Sequence, residues 1–210
     1  MKNLLLHVCC GPCSEWPVQA LREEGFTLEA YYYNPNIQPQ AEWDKRLAAM
    51  REAARLHDLP LHVEGQSEEE RWRRMSSLSK EEHCHYCYRR RLGQAAKFAR
   101  ERGFAYLASS LQVSPYQDQE LIARCGEEAC RAQGLTFVSR PFMERFREGQ
   151  EMARADGLYR QHYCGCIYSL GETRPRYMRR LLREFGLTEE DIPRRSSRLE
   201  AGQEAAEGQN

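Results

Sequence analysis

The chain has 210 residues, and its 31 Lys plus Arg are balanced by 31 Asp plus Glu, so net charge neither demands nor excludes a nucleic-acid partner. The length suits one domain with a good core, and no apolar run approaches the roughly 18 residues of a membrane span. No leader-like apolar stretch with a cleavage site stands near the start, so a cytoplasmic setting without a membrane partner is the expectation.

The first predicted element is a short buried strand over Leu4 to Leu6. It runs through His7-Val8-Cys9-Cys10-Gly11-Pro12-Cys13-Ser14 into an amphipathic helix that ends near Gly25. Ser14 reads as the N-cap, with Pro17 in the first turn, where its missing N–H has no intrahelical partner to lose. Three thiols therefore sit where a strand hands over to a helix, and a helix N-terminus stabilises thiolates.

A second strand covers Phe26 to Tyr33 and stops at Asn34-Pro35-Asn36. A helix follows over Gln40 to His57, then a third strand over Leu59 to Val63. Ser67 with Glu70 reads as a capping box for a short helix through Leu78. The pair Cys84-x-x-Cys87 opens the next helix, which closes at Gly103. Strands over Phe104 to Leu111 and Leu135 to Ser139 alternate with helices to Gln133 and over Glu144 to Ala155, and a basic helix spans Arg174 to Phe185. This alternation predicts an α/β fold, a parallel sheet with helices on both faces and a C-terminal helical extension. Residues 1–190 form one catalytic domain and 191–210 a polar, disordered tail in this reading. The loops at Cys9 to Cys13, Asn34 to Asn36 and Ser109 to Gln117 fall at the carboxyl ends of strands, where such folds bind ligands.

Nine cysteines, an odd number, favour metal or redox chemistry over a structural disulfide framework. Cys9 and Cys10 with Cys84 and Cys87 can supply four thiolates to zinc or to an iron–sulfur cluster. Adjacent cysteines are expected to diverge, which suits two corners of a cluster better than one small ion. Cys10-Gly11-Pro12-Cys13 also spells the active site of thioredoxin-like dithiol oxidoreductases, and a zinc-stabilised RNA-binding domain is a further alternative. The second cysteine pair and the parallel sheet speak against the former. Cys164-Gly165-Cys166 would form either a strained, reducible disulfide or two ligands of one metal. Cys125 and Cys130 read as packing residues, and His83, His85 and His162 border the cysteine groups. Arginines recur at 71, 73, 74, at 89 to 91 and at 174, 176, 179, 180 and 183. Most would be solvated, and any that converge near the cysteines would form a phosphate-binding rim.

Together His7-x-Cys9-Cys10-Gly11-Pro12-Cys13-Ser14, Tyr33-Asn34-Pro35-Asn36-Ile37-x-Pro39, Cys84-x-x-Cys87-Tyr88 with Arg91-Leu92, Ser109-Ser110-Leu111 with Ser114-Pro115-Tyr116, and Tyr159-Arg160-Gln161-x-Tyr163-Cys164-Gly165-Cys166 resemble the epoxyqueuosine reductases of the QueH type. The likeness runs in order from about residue 4 to 169. It implies a Rossmann-like fold akin to the nucleotide-hydrolase and tRNA-sulfurating group. It also implies a 4Fe-4S cluster held by Cys9, Cys10, Cys84 and Cys87, and the last step of queuosine synthesis, deoxygenation of an epoxide on tRNA bearing epoxyqueuosine. An external electron donor would be needed. Cys164 and Cys166 would be a redox-active disulfide pair or, with Cys13, would hold an additional mononuclear iron. Cys13 and Tyr116 are further catalytic candidates, Tyr163 and His162 alternative proton donors, and Tyr33 or Tyr116 stacking platforms for the wobble base. One departure stands out: the family's usual Asp-Phe-Arg element reads Arg140-Pro141-Phe142-Met143 here, with Pro141 in the aspartate's place. Asp118 or Glu144 would have to supply a replacement carboxylate.

Overall fold

The computed structural model describes residues 2–193. Its centre is a sheet of five parallel strands, β1 (Lys2–His7), β2 (Phe26–Tyr32), β3 (Leu61–Val63), β4 (Tyr106–Ser109) and β5 (Thr136–Phe137), in the order 3-2-1-4-5. Strand β1 lies in the middle and Leu4 faces Leu28 on one side and Tyr106 on the other. The strand order reverses at β1, so its carboxyl end is the switch point at which such sheets bind ligands. That end carries Cys9, Cys10 and Cys13.

Successive β1 side chains point to opposite faces. Leu4 and Leu6 pack into a core shared with α1 (Gly11–Glu23), α2 (Gln40–Leu56) and, further along the chain, Ala153 of the helix over Phe146–Ala155. Leu5 packs on the other face against Ala95, Ala96, Ala99 and Cys130. Each fully buried Leu contributes about 1.5–3 kcal/mol, enough to fix the register of the central strand. Helices α1 and α2 approach so closely that a Cβ on Gly11 would lie 2.6 Å from the Ala49 carbonyl oxygen.

The other helices are α3 (Glu69–Arg73), α4 (Lys80–Glu101), α5 (Gln119–Gln133), α6 (Phe146–Ala155), α7 (Ile167–Gly171) and α8 (Pro175–Phe185). Several ends differ from expectation. Helix α1 starts earlier, with extended Cys10 as its N-cap and Pro12 in the first turn, because proline's fixed φ suits that position. Ser14 therefore lies within the helix, its hydroxyl donating to the Gly11 carbonyl at 2.7 Å, and Pro17 lies in the helix interior. Helix α3 is not capped by Ser67, whose backbone N–H instead donates to the Gln40 side chain at 3.1 Å. The capping box is Ser79 with Glu82, so α4 begins at Lys80 and Cys84 lies in its second turn instead of opening it. Strand β4 ends at Ser109, where a 3-10 turn over Ser110–Val113 takes over, and β5 is only Thr136–Phe137.

Helix α8 sits on α7, its Leu181 and Leu182 packed with Tyr163, Cys166, Ile167 and Leu170. Ile192 joins this cluster and Arg73 donates to the Asp191 carbonyl at 2.6 Å, so the folded body continues past residue 190. The tail expected from Arg194 onward lies outside the described residues. No described helix is long and apolar enough to cross a membrane.

Candidate metal centre

The chain leaving β1 turns at once into α1, and this turn gathers the sulfur of Cys9, Cys10 and Cys13. All three are buried, and their Sγ atoms lie within 4.8 Å of one another. The Cys9 and Cys10 sulfurs are 3.7 Å apart, so these side chains converge, contrary to the divergence expected of neighbours. Cys10 itself is extended and serves as the N-cap of α1, so the two sulfurs meet where the strand hands over to the helix. Two thiolates on one tetrahedral zinc, with bonds of about 2.3 Å, are separated by about 3.8 Å. The Ser110 hydroxyl accepts from the Cys9 backbone N–H at 3.0 Å and faces the Cys9 sulfur at 3.4 Å.

The three thiols share their protons unequally. Hydrogen bonds from Cys10 and then Cys13 hold the Cys9 thiol well below its ordinary value, burial opposes this, and Arg91 and Ser110 assist. Burial pushes Cys10 up, and hydrogen bonding to Cys10 and Cys9 pushes Cys13 up. The lowered Cys9 thiol is the one its neighbours' hydrogen bonds favour as thiolate, and a bound cation would draw protons from the others as well.

Arg91 of α4 is buried and ties the centre together. It donates to the Asn34 side-chain oxygen at 2.6 Å and faces the Cys87 sulfur at 3.8 Å, while the Asn34 amide donates to the Val8 carbonyl at 2.9 Å. Its cation interacts with Cys87, then Cys9, then Cys164. Burial raises the Cys87 thiol to about 12, opposed by Arg91. Cys84 packs against the buried group that holds Cys9, Cys10 and Cys13. His7 beneath it is held neutral, its pKa lowered to about 3 by burial and then by Arg91. Its Nε2 faces the Tyr33 carbonyl at 3.3 Å and so carries the proton, leaving Nδ1 to accept from Ser109 at 2.8 Å.

The third cysteine group is clamped onto the same end. Buried Arg46 of α2 pairs with Glu42 at 2.7 Å and donates to the Cys164 and Tyr163 carbonyls at 2.9 and 3.0 Å. The Gln38 backbone N–H donates to the Gly165 carbonyl at 2.9 Å, and the Ile167 N–H to the Gln38 side chain at 3.0 Å. Gly165 has φ 140° and a Cβ there would meet Ile37 at 3.1 Å and Arg46 at 3.3 Å, which only glycine avoids. The Gln161 amide donates to Cys10 Sγ at 3.0 Å and contacts Cys13 Sγ at 3.5 Å. Cys164 has an exposed surface yet is ringed by protein atoms; that crowding, then Cys166 and Cys87, pushes its thiol up.

The family model Epoxyqueuosine reductase QueH matches residues 4–172. The chain belongs to this family. A QueH relative from Dehalococcoides mccartyi is 34% identical over 167 residues, covering 80% of this chain and 92% of that protein. One from Thermotoga maritima is 31% identical over 186 residues, covering 84% and 95%. A crystal structure described as a predicted subunit of tRNA methyltransferase from Methanocaldococcus jannaschii has a TM-score of 0.51 at 11% identity, with 94% of each chain covered, a likeness of fold.

In this QueH family member the cysteine groups expected from sequence meet at one end of the sheet, whereas the aromatic candidates do not join them. Tyr116 is 86% exposed and packs edge-on against Phe146. Tyr33 is buried and stacked on Tyr31 at 6.2 Å, which leaves no open face for a base. The Tyr163 hydroxyl is spent on the Gln38 carbonyl, and His162 stacks on Tyr177 at 4.2 Å. Arg140 pairs with Glu24 at 2.7 Å, Asp118 caps α5 through the Leu121 N–H, and Glu144 is exposed. No disulfide forms among the described cysteines. Cys125 and Cys130 are buried packing residues, as their helical spacing suggests. Arg46 was not singled out from sequence, and Arg91 and Gln161 stood only within motifs, with no role of their own given. A signal for the two arginines was the i,i+4 spacing of Arg46 from Glu42 and of Arg91 from Cys87.

Proposed function

We propose that this chain reduces epoxyqueuosine in tRNA to queuosine. Two electrons and two protons remove the epoxide oxygen as water and leave an alkene, with the electrons drawn from an external donor. The observation that carries this reading is the convergence of three separate cysteine groups around buried Arg91, at the switch point of a QueH family fold.

The donor set fits an iron–sulfur centre: soft thiolates, buried, with an arginine to offset their charge. Cys9, Cys10, Cys84 and Cys87 would hold a 4Fe-4S cluster, which when bound supplies electrons one at a time. Arg91 assists the hydrogen bonds that lower the Cys9 thiol and opposes the burial that raises Cys87. Gln161 fixes Cys10 and Cys13, and Arg46 with Gln38 holds Cys164 over the centre. Cys13, Cys164 and Cys166 then remain for a redox pair or an additional iron.

A zinc site is the second reading, favoured by the 3.7 Å separation of the Cys9 and Cys10 sulfurs. The dithiol oxidoreductase reading is weaker, since Cys10, the leading cysteine of its pair, is pushed up where a reactive thiol is lowered.

Anaerobic purification followed by iron, sulfide and zinc analysis, then assay on epoxyqueuosine-containing tRNA with dithionite, tests the proposal. About four irons and four sulfides with a visible band that bleaches on reduction, lost in Cys10→Ala and kept in Cys130→Ala, is the expected result. Zinc alone and no turnover would overturn it.

A further inference from the structure

We propose that the arginine face of α8 is the surface on which the tRNA backbone docks, an inference that rests on the tRNA reductase reading. Arg176, Arg179, Arg180 and Arg183 follow i, i+3, i+4, i+7 spacing and are all exposed, so they form one stripe about 10 Å long. The opposite stripe, with Met178, Leu181, Leu182 and Phe185, is packed into the cluster with Cys166 and Ile167. The arginine face is therefore fixed in orientation by the same residues that seat the third cysteine group.

Among the described residues no carboxylate pairs with these arginines; the acidic residue of α8, Glu184, pairs with Lys45 instead. Like charges one turn apart weaken a helix, and Arg176 stands near its positive end. Local stability does not explain the stripe, whereas a row of phosphates would complement it. It also leads to the centre: Arg180 lies over the Tyr177 ring at 5.6 Å, and Tyr177 stacks on His162, close in sequence to exposed Cys164.

The experiment uses the full chain, isolated anaerobically with its metal, and compares it with Arg176→Gln/Arg179→Gln/Arg183→Gln, leaving Arg180 on Tyr177. Binding of fluorescent tRNA is followed by anisotropy over a series of salt concentrations, and kcat and KM are measured separately on epoxyqueuosine-containing tRNA. The triple variant should bind about 10- to 100-fold more weakly, its log Kd against log salt slope should fall by about 2–3, and KM should rise with kcat retained. The corresponding triple Lys variant should restore binding, and Arg183→Gln alone should lower the slope by about 0.7–0.9. Unchanged affinity and slope in the triple variant would overturn the docking surface. Parent protein that holds its metal and binds tRNA but leaves epoxyqueuosine unreduced would instead overturn the reductase reading.

Discussion

Replacing Arg46 by Met tests the clamp that joins α2 to the Cys164 loop. Arg46 and Glu42 are 1% and 0% exposed, so the variant leaves a buried carboxylate with the Tyr159 hydroxyl, at 2.8 Å, as its remaining partner. Such an orphaned charge costs about 3–5 kcal/mol. The Tyr163 and Cys164 carbonyls also lose their donors, each worth about 1 kcal/mol net once water reaches the loosened loop. The expected total is about 5–7 kcal/mol, a large share of a domain's typical 5–15 kcal/mol. With an m-value of about 2–3 kcal/mol/M the urea midpoint falls by roughly 2–3 M. Circular dichroism of the chelator-treated, reduced protein in urea reads this directly. The double variant Glu42→Gln/Arg46→Met, which removes both charges, should recover about 2 kcal/mol or more. A loss below about 1 kcal/mol for Arg46→Met, or a double variant no more stable than the single, would refute the reasoning.

Gly11→Ala places a methyl 2.6 Å from backbone of α2, which cannot rotate away, and should lower stability in the same urea titration by about 1–3 kcal/mol; no change would mean the helices part freely. Gly165→Ala meets both positive φ and crowding by Ile37 and Arg46. It should cost about 1–3 kcal/mol and raise the rate at which Cys164 is alkylated, and an unchanged rate would show that the loop is not held by this contact. Burial lifts Cys130 to about 12 and Cys125 to about 11, so in folded protein both stay protonated as pH is raised from 7 to 9. Mass spectrometry after iodoacetamide should find them unlabelled across that range and labelled only in denaturant; labelling at pH 9 in the native state would contradict the burial.

The strand and helix order was legible because each apolar run carries its own period, and the placement of Cys9 to Cys13 at the carboxyl end of a strand followed from it. The central position of β1, which makes that end the switch point, is read from the structure. Helix starts were less legible, since Ser14, Ser67 and Ser79 are all plausible caps and only Ser79 is used as one. What decided between them was tertiary: Pro12 set α1 a turn earlier, and Gln40 had already taken the Ser67 backbone N–H. The convergence of Cys9 and Cys10, their sulfurs 3.7 Å apart, runs against the alternation of extended neighbours, and no spacing rule reports it. Arg46 and Arg91 resemble the many solvated arginines of this chain, and their burial is decided by partners far off in sequence, Cys164 and Asn34. Tyr116 is the converse case: its motif marks it in the sequence, and the fold leaves its ring exposed, apart from the buried cysteines.

Gln161 holds the Cys10 sulfur from 151 residues further along the chain. At about 5–20 residues per second, a ribosome completes that contact roughly 8–30 s after the first thiols are made. For about the first half of that interval Arg91 has not been made, and for all of it Cys9, Cys10 and Cys13 lack their covering loop, so any oxidant or stray metal meets them first. Loading of the centre is therefore an event that follows synthesis, and its yield in a cell should depend on how reducing that interval is.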